Sequence, residues 1–553
     1  MFHVEQIIIK FKIMKIYGRL VDIHKRDIYP AMIVVRKGRI ERVERIAEAP
    51  QSLIMPGLID SHIHIESSML TPGAFAETVV KHGTTSVVSD PHEIANVLGV
   101  KGVKYMIKDS YKVPLKFFFG APSCVPATRY ERNGSAIGVE ETEQLLDLPG
   151  VKYLSEMMNY PGVIYQDKDV IDKIELAKSR NKPVDGHAPG LSGEALKKYV
   201  GEGISTDHEC TSIDEALEKI ELGMKILIRE GSAAKNLEAL KELYNIRPDM
   251  VMLCSDDLHP EILRNRHINK IIADLISQGY NIFDVIRSAT LNPVMHYNLD
   301  SGLLREGDFA DFIIVDSLSQ MNVFETWING RRVFGKGEIQ FKYKPGRGIN
   351  NFKCSEINAN EIAVKNHNGR IRVIDTIEGE LLTKELIVTT SDKEFLNADT
   401  VSDILKIVVK DRYFDSLPVI GFIRGFNLKK GAIASSVAHD SHNIISVGTN
   451  DEDITIAINE IVNMKGGLSV SNEGSVVSLK LNIAGIMTTS RCGHVADEYE
   501  NLNEIVKSLG CYKKAPFMTL SFMALLVIPE LKLSDMGLFD GSRFSFTELF
   551  ENE

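Results

Sequence analysis

The apolar positions of this chain change rhythm along its length. Residues 15–55 run in short β-rich stretches broken by turn residues, the pattern of a small β unit. From Leu53 to Asp257 eight apolar runs follow: LIMPGLIDSHIHI, TTSVVSD, LKFFFGAP, VKYLSEMM, KPVDGHAPG, GISTDHE, MKILIREGS and MVMLCSDD. Helical segments separate them, and most end in a cluster of His, Asp, Glu or Ser. Strand-then-helix repetition of this kind predicts an α/β fold, a (β/α)8 TIM-like catalytic barrel over residues 55–299 with its active site at the C-terminal strand ends. A helical stretch, NIFDVIRSATLNPVMHYNL, and then GLLREGDFADFIIVD lead into further β-rich sequence to about residue 345. Residues 300–345 are expected to pair with residues 1–54 as a small β-sandwich domain built from both sides of the barrel segment. Beyond the KPGRG turn at 344–348, residues 350–553 mix β-rich runs with helices and are expected to form an α+β C-terminal domain.

The sharpest chemical signal is His62-Ile63-His64 at the end of the first run. Alternation with period 2 puts both imidazoles on one face, so two nitrogens can converge on one ion. Such a pair on a strand can equally be structural. Its specificity comes from company, because further candidate ligands end later runs: Glu156 in KYLSEMM, His187 in VDGHAPG, His208 in STDHE and Asp256 in LCSDD. This mixed N and O set suffices for two divalent ions about 3.5–4 Å apart sharing a bridging carboxylate, and Zn, Mn or Fe suits it; of these Mn or Fe is expected first, with Zn possible.

Composition narrows the partners. Hydrophobic residues make up 44% and charged residues 25% of the 553, ordinary for a globular protein, and the length predicts two to four domains. A net charge of −11 leaves no electrostatic footprint for nucleic acid, so the expected partner is a small molecule. Six dispersed cysteines without a C-x-x-C pair favour a reducing cytoplasm. The opening run MFHVEQIIIKFKIMK lacks a cleavage signature, and Phe517–Ile528 is well short of a ~20-residue membrane span. A soluble cytoplasmic homo-oligomer without membrane contact is expected.

The run PGLIDSHIHIE, the later isolated histidines, the SDD of the eighth run and the closing GLLREGDFADFIIVD resemble the amidohydrolase superfamily. More narrowly, IESSMLTP, DPHEIANVLG, VDGHAPGLSG, STDHEC, CSDDLHP, ATLNPVMHYNL and AHDSHNIISVGTND resemble the adenine deaminase family over nearly the whole chain. In that superfamily a carboxylated lysine often bridges the metals. Here the fourth run offers Glu156, and the resemblance implies a glutamate bridge; Lys152, the competitor, precedes the apolar stretch. It also implies deamination of free adenine to hypoxanthine and ammonia, with Asp256 as the proton shuttle. A cyclic amidohydrolase of the dihydroorotase or hydantoinase kind would use the same scaffold. A purine- or metal-binding protein without activity is the reading from another class.

Other motifs stay open between chemistry and structure. Asp90, His92 and Glu93 in DPHEIAN are substrate-binding candidates or helix caps, and Asn96 breaks any H-E-x-x-H zinc motif. His64-Ile65-Glu66 offers the H-x-E half of a nucleoside-type deaminase, but no P-C-x-x-C follows. Glu66, with Ser67 and Ser68, either lines the substrate pocket or caps a helix. Asp257 and His259 either contact substrate or are solvated, and Asp257 is expected to point away from Asp256 unless the chain turns there. His439, Asp440 and His442 in HDSHN form a loop that either reaches the barrel mouth, binds another metal or is a solvated turn.

Overall fold

The computed structural model describes residues 13–232, 234–378 and 381–551. Residues 1–12, which belong to the expected 1–54 unit and to the opening run, and residues 552–553 of the C-terminal unit lie outside the described residues.

Each of the eight apolar runs contains a strand. These are β1 (Leu58–Ile63), β2 (Thr84–Ser89), β3 (Lys116–Ala121), β4 (Val151–Met157), β5 (Val184–Gly186), β6 (Thr206–Asp207), β7 (Lys225–Arg229) and β8 (Val251–Cys254). Most are buried along their whole length, as parallel strands covered on both faces must be. β1 to β5 form one parallel sheet in chain order and β6 to β8 a second. Parallel bridges join Val184 to Ile204 and Ile63 to Asp256, linking the sheets at both seams. Amphipathic helices such as Ile268–Ser277 turn Ile268, Ile271, Ile272 and Leu275 inward against this layer.

The strands that flank this segment on both sides share one sheet. Met14–Asp22, Asp27–Arg36, Arg39–Arg45 and Leu53–Pro56 are hydrogen-bonded with Phe312–Val315, Val323–Ile328, Arg331–Gly335 and Glu338–Ile339 into a single eight-stranded sheet. The seam is antiparallel, Phe312 opposite Pro56 and Val315 opposite Leu53. Leu20, Ile33, Ile54, Phe312 and Trp327, drawn from both flanks, share one apolar cluster. Gly57 is the hinge into β1: a Cβ there would meet Thr85 Oγ1 at 2.2 Å, so only glycine lets the chain pass from sheet to strand.

Residues beyond 350 build a second eight-stranded sheet with the helix Asp451–Met464 packed on it through Ile454, Ala457, Ile458 and Ile461. Asn450 caps that helix by accepting from the Asp453 amide at 2.8 Å. The loop 439–443 lies between two strands of this sheet, Ala432–Ser435 and Ile444–Gly448.

Candidate metal centre and active site

β1 ends so that the Nε2 atoms of His62 and His64 lie 3.1 Å apart. Alternation alone accounts for this, since one residue separates them on an extended strand. Asp256, just past β8, is drawn to them by the backbone: its amide donates to the His62 carbonyl at 3.0 Å and its carbonyl accepts from the His64 amide at 3.3 Å. Its Oδ1 then sits 3.5 Å from His62 Nε2 and 3.3 Å from His64 Nε2. Glu156, near the end of β4, faces the other half of the site. Its Oε2 lies 2.9 Å from His187 Nδ1 and 3.1 Å from His208 Nε2, while Oε1 lies 3.4 Å from His64 Nε2. All six predicted ligands therefore converge, and each is buried except His187, which is partly so.

The donor set fits divalent cations. His64 Nδ1–H donates to the Asp90 carbonyl at 3.2 Å, which leaves the Nε2 lone pair free for an ion. Burial opposes ionisation of both carboxylates. Hydrogen bonds and charge from His187 and His208 nevertheless hold Glu156 well below the usual carboxylate range, and Arg229, His62 and His64 do the same for Asp256. Burial also disfavours charge on the histidines, yet Asp256 and Glu156 raise His64, and Glu156 and Glu209 raise His208, well above the ordinary imidazole value.

Two participants escaped the sequence reading. Arg229 closes β7 and is buried; its Nη1 donates to Asp256 Oδ2 at 2.8 Å and its Nη2 to Glu209 Oε2 at 2.8 Å. Glu209 in turn lies 3.4 Å from His208 Nε2. Their signal was present, a charged residue ending an apolar run in ILIRE and a carboxylate beside a ligand in DHEC.

The remaining candidates divide. Asp90 both caps and supports: Oδ1 accepts from the His92 amide at 3.1 Å, Oδ2 faces His92 Nδ1 at 3.0 Å, and its carbonyl holds His64. His92, Glu93, Asp257, His439 and Asp440 line the same cavity as the ligands. For Asp257 the chain does turn: Asp256 adopts φ 55°, a left-handed conformation, and Asp257 lines the cavity. The HDSHN loop reaches the site, where Glu93 takes His439 Nδ1 at 2.6 Å and hydrogen-bonds His442 Nε2. Asp440 is pushed up to about 6 by burial and by the Glu93 charge. Glu66, with Ser67 and His259, lines a neighbouring small cavity instead, and its Oε1 accepts from the Ile94 amide at 3.2 Å. Lys152 sits at the start of β4, 3.5 Å from Asp300. The C-terminal unit closes the cavity with an apolar wall of Leu381, Phe522, Leu525, Val527 and Ile528.

A sequence profile described as the amidohydrolase family matches residues 53–333, the segment holding the eight strands and the six converging side chains. Fold and site are those of a metal-dependent amidohydrolase. A second profile, adenine deaminase C-terminal domain, matches residues 380–545. Adenine deaminase of Salinibacter ruber is 50% identical over 538 residues, covering 97% of this chain and 98% of that one. The Methanosarcina mazei adenine deaminase is 48% identical over 553 residues, covering 98% and 100%, and the Borreliella burgdorferi one 45% over 546, covering 97% and 99%. The chain belongs to the adenine deaminase family.

Proposed function

We propose that this chain is an adenine deaminase, hydrolysing adenine and water to hypoxanthine and ammonia. The observation that carries the reading is the convergence of His62, His64, Glu156, His187, His208 and Asp256 at the ends of parallel strands, all but His62 lining a cavity roofed by the adenine-deaminase-type C-terminal unit. We read the two parallel sheets as the halves of one (β/α)8 barrel, joined through the Val184–Ile204 and Ile63–Asp256 bridges.

Two divalent ions fit the arrangement, because the two Glu156 oxygens face different sets of histidines, and Mn or Fe suits the mixed donors with Zn acceptable. When bound, such ions lower the pKa of water from 15.7 towards ~7 and so supply hydroxide at neutral pH. His62, His64 and Asp256 would hold one ion, His187 and His208 the other, and Glu156 would bridge them. Asp256 accepts the proton of the attacking water and hands it to the ring nitrogen or the departing amine. Arg229, fixed by Glu209, orients the Asp256 carboxylate through Oδ2 and leaves Oδ1 facing the reacting atoms. Phe522 and Leu525 exclude water from the purine face. Six free, buried cysteines suit a reducing cytoplasm, where we place the enzyme.

The test is ammonia release from adenine and adenosine, beside ring-opening of dihydroorotate and hydantoin, by protein of measured metal content. Adenine is expected to be turned over well and adenosine poorly. Preference for dihydroorotate or hydantoin would assign the scaffold to cyclic amides, and comparable rates on adenine and adenosine would remove the free-base reading. His62→Ala or His64→Ala should lose both bound metal and activity; full metal with normal rates would make the pair structural.

A further inference from the structure

We propose that Asp440, supplied to the barrel mouth by the C-terminal unit, accepts a hydrogen bond from the imidazole-ring N–H of free adenine and is the residue that distinguishes the base from N9-substituted purines. The inference rests on the deaminase reading above.

Asp440 is 3% exposed and lines the cavity that holds Glu156 and Asp256, yet among the described residues its Oδ2 has no hydrogen-bond partner. A buried carboxylate oxygen left unpaired costs more than an ordinary hydrogen bond returns, so a donor is owed to it. The chain does not provide one by moving. His439 Nδ1 and His442 Nε2 are both tied to Glu93, the Ser441 carbonyl accepts from Tyr413 OH at 2.7 Å, and the His439 ring stacks on Phe522 with centroids 5.0 Å apart. The loop is thus pinned on both sides of Asp440. Nor does a neighbour bond it: Glu93 is an acceptor already engaged by two histidines, and His92, the nearest other donor, turns Nδ1 to Asp90 and has Nε2 3.5 Å from Glu93 Oε1.

The donor must then come from what fills the cavity. If C6 lies at the six converging ligands, the five-membered ring is the part of the purine left to meet the adjoining wall, where Asp440 stands beside His92 and Glu93. Free adenine carries one ring N–H there, on N7 or N9. Adenosine and 9-methyladenine carry none in their neutral forms. A charged acceptor aimed at that N–H gains from the base and is left unpaired by its N9-substituted analogues, which is how a buried polar group rejects a ligand lacking its partner.

The experiment uses the full-length, metal-loaded protein and compares kcat/KM for adenine and 9-methyladenine in the native chain and in Asp440→Asn. Inhibition constants for hypoxanthine and 9-methylhypoxanthine are measured alongside as binding readouts. The native chain is expected to prefer adenine by at least about 100-fold. Asp440→Asn should lower kcat/KM for adenine by about 10–100-fold and weaken hypoxanthine comparably, as for loss of a hydrogen bond to a charged group. The 9-methyl compounds should stay within about threefold, and metal per chain should not change. Equal losses on both substrates would overturn the proposal, as would loss of a metal equivalent, which would make Asp440 a cation ligand with His92 and Glu93. Comparable native rates on adenine and 9-methyladenine would overturn it even if the variant failed to fold. A native chain inactive on adenine would instead remove the deaminase reading on which the proposal rests.

Discussion

Asp256 and Asp257 are adjacent carboxylates with different surroundings, and the difference decides which can move a proton. Asp256 touches His62 and His64 through one oxygen and Arg229 through the other, whereas Asp257 accepts from the Ser67 hydroxyl and lines the cavity further out. Asp256→Asn keeps an oxygen able to contact a cation but removes the proton acceptor. Positioned proton transfer contributes about 10²–10⁴-fold, so kcat should fall by at least that much while much of the metal stays bound. Measuring kcat and metal content for Asp256→Asn beside Asp257→Asn checks this, and a larger loss in Asp257→Asn at full occupancy would move the shuttle to that residue. Residue-level legibility followed the same divide. His62, His64, Glu156, His187, His208 and Asp256 were readable because each stands at or just past the end of an apolar run. Asp257 was left open because its direction depends on a left-handed φ at a non-glycine residue, which strand alternation does not encode. Arg229 was passed over because a strand-terminal arginine does not look like a metal ligand, although it holds the Asp256 carboxylate.

Strands decide the bridge between the two halves of the site. Lys152 and Glu156 lie four residues apart on β4, about 13 Å along an extended chain at ~3.3 Å per residue, so only one of them can reach the histidines. Glu156 does, while Lys152 pairs with Asp300. Glu156→Gln should keep the fold and weaken or empty one metal position, because a neutral amide bridges two cations poorly, whereas Lys152→Ala should leave metal content unchanged. Metal per chain in the two variants checks both statements, and the reverse result would return the bridge to Lys152. The strands themselves were legible as period and composition, and the pairing of the two flanks followed from their β-rich pattern. That the flanks form one sheet was not, since two short β-rich segments are equally compatible with facing sheets and only the antiparallel seam of Phe312–Val315 on Leu53–Pro56 makes them continuous.

At the scale of the whole molecule, the C-terminal unit and the barrel segment are parts of one core. A single apolar cluster runs from Ile63, Phe75 and Val87 on the barrel side to Leu405, Leu468, Met487 and Phe517 beyond residue 350. The chain also bonds across this boundary, Thr488 N donating to the Met69 carbonyl at 2.7 Å and Thr71 N to the Thr488 carbonyl at 3.2 Å. Thr71 directly precedes the helix Pro72–Val79, so this contact holds the segment that leaves the histidine pair. Local periodicity could not reveal the shared core, because its two sides lie hundreds of residues apart and each reads locally as an ordinary half-buried element. The consequence is a prediction about truncation. A chain ending at residue 345 would uncover that cluster, and each large apolar side chain returned to water costs about 1.5–3 kcal/mol, so a few of them exceed the 5–15 kcal/mol that keeps a typical protein folded. The same truncation strips Glu93 of His439 and His442 and leaves a buried carboxylate without either partner. The truncated chain is therefore expected to be insoluble or unfolded rather than a smaller active barrel. Size-exclusion chromatography, thermal unfolding and metal content of the 1–345 chain beside the full chain check this. A soluble, cooperatively melting barrel with its full metal complement would show that the eight strands fold alone, and would confine the C-terminal unit to covering the substrate.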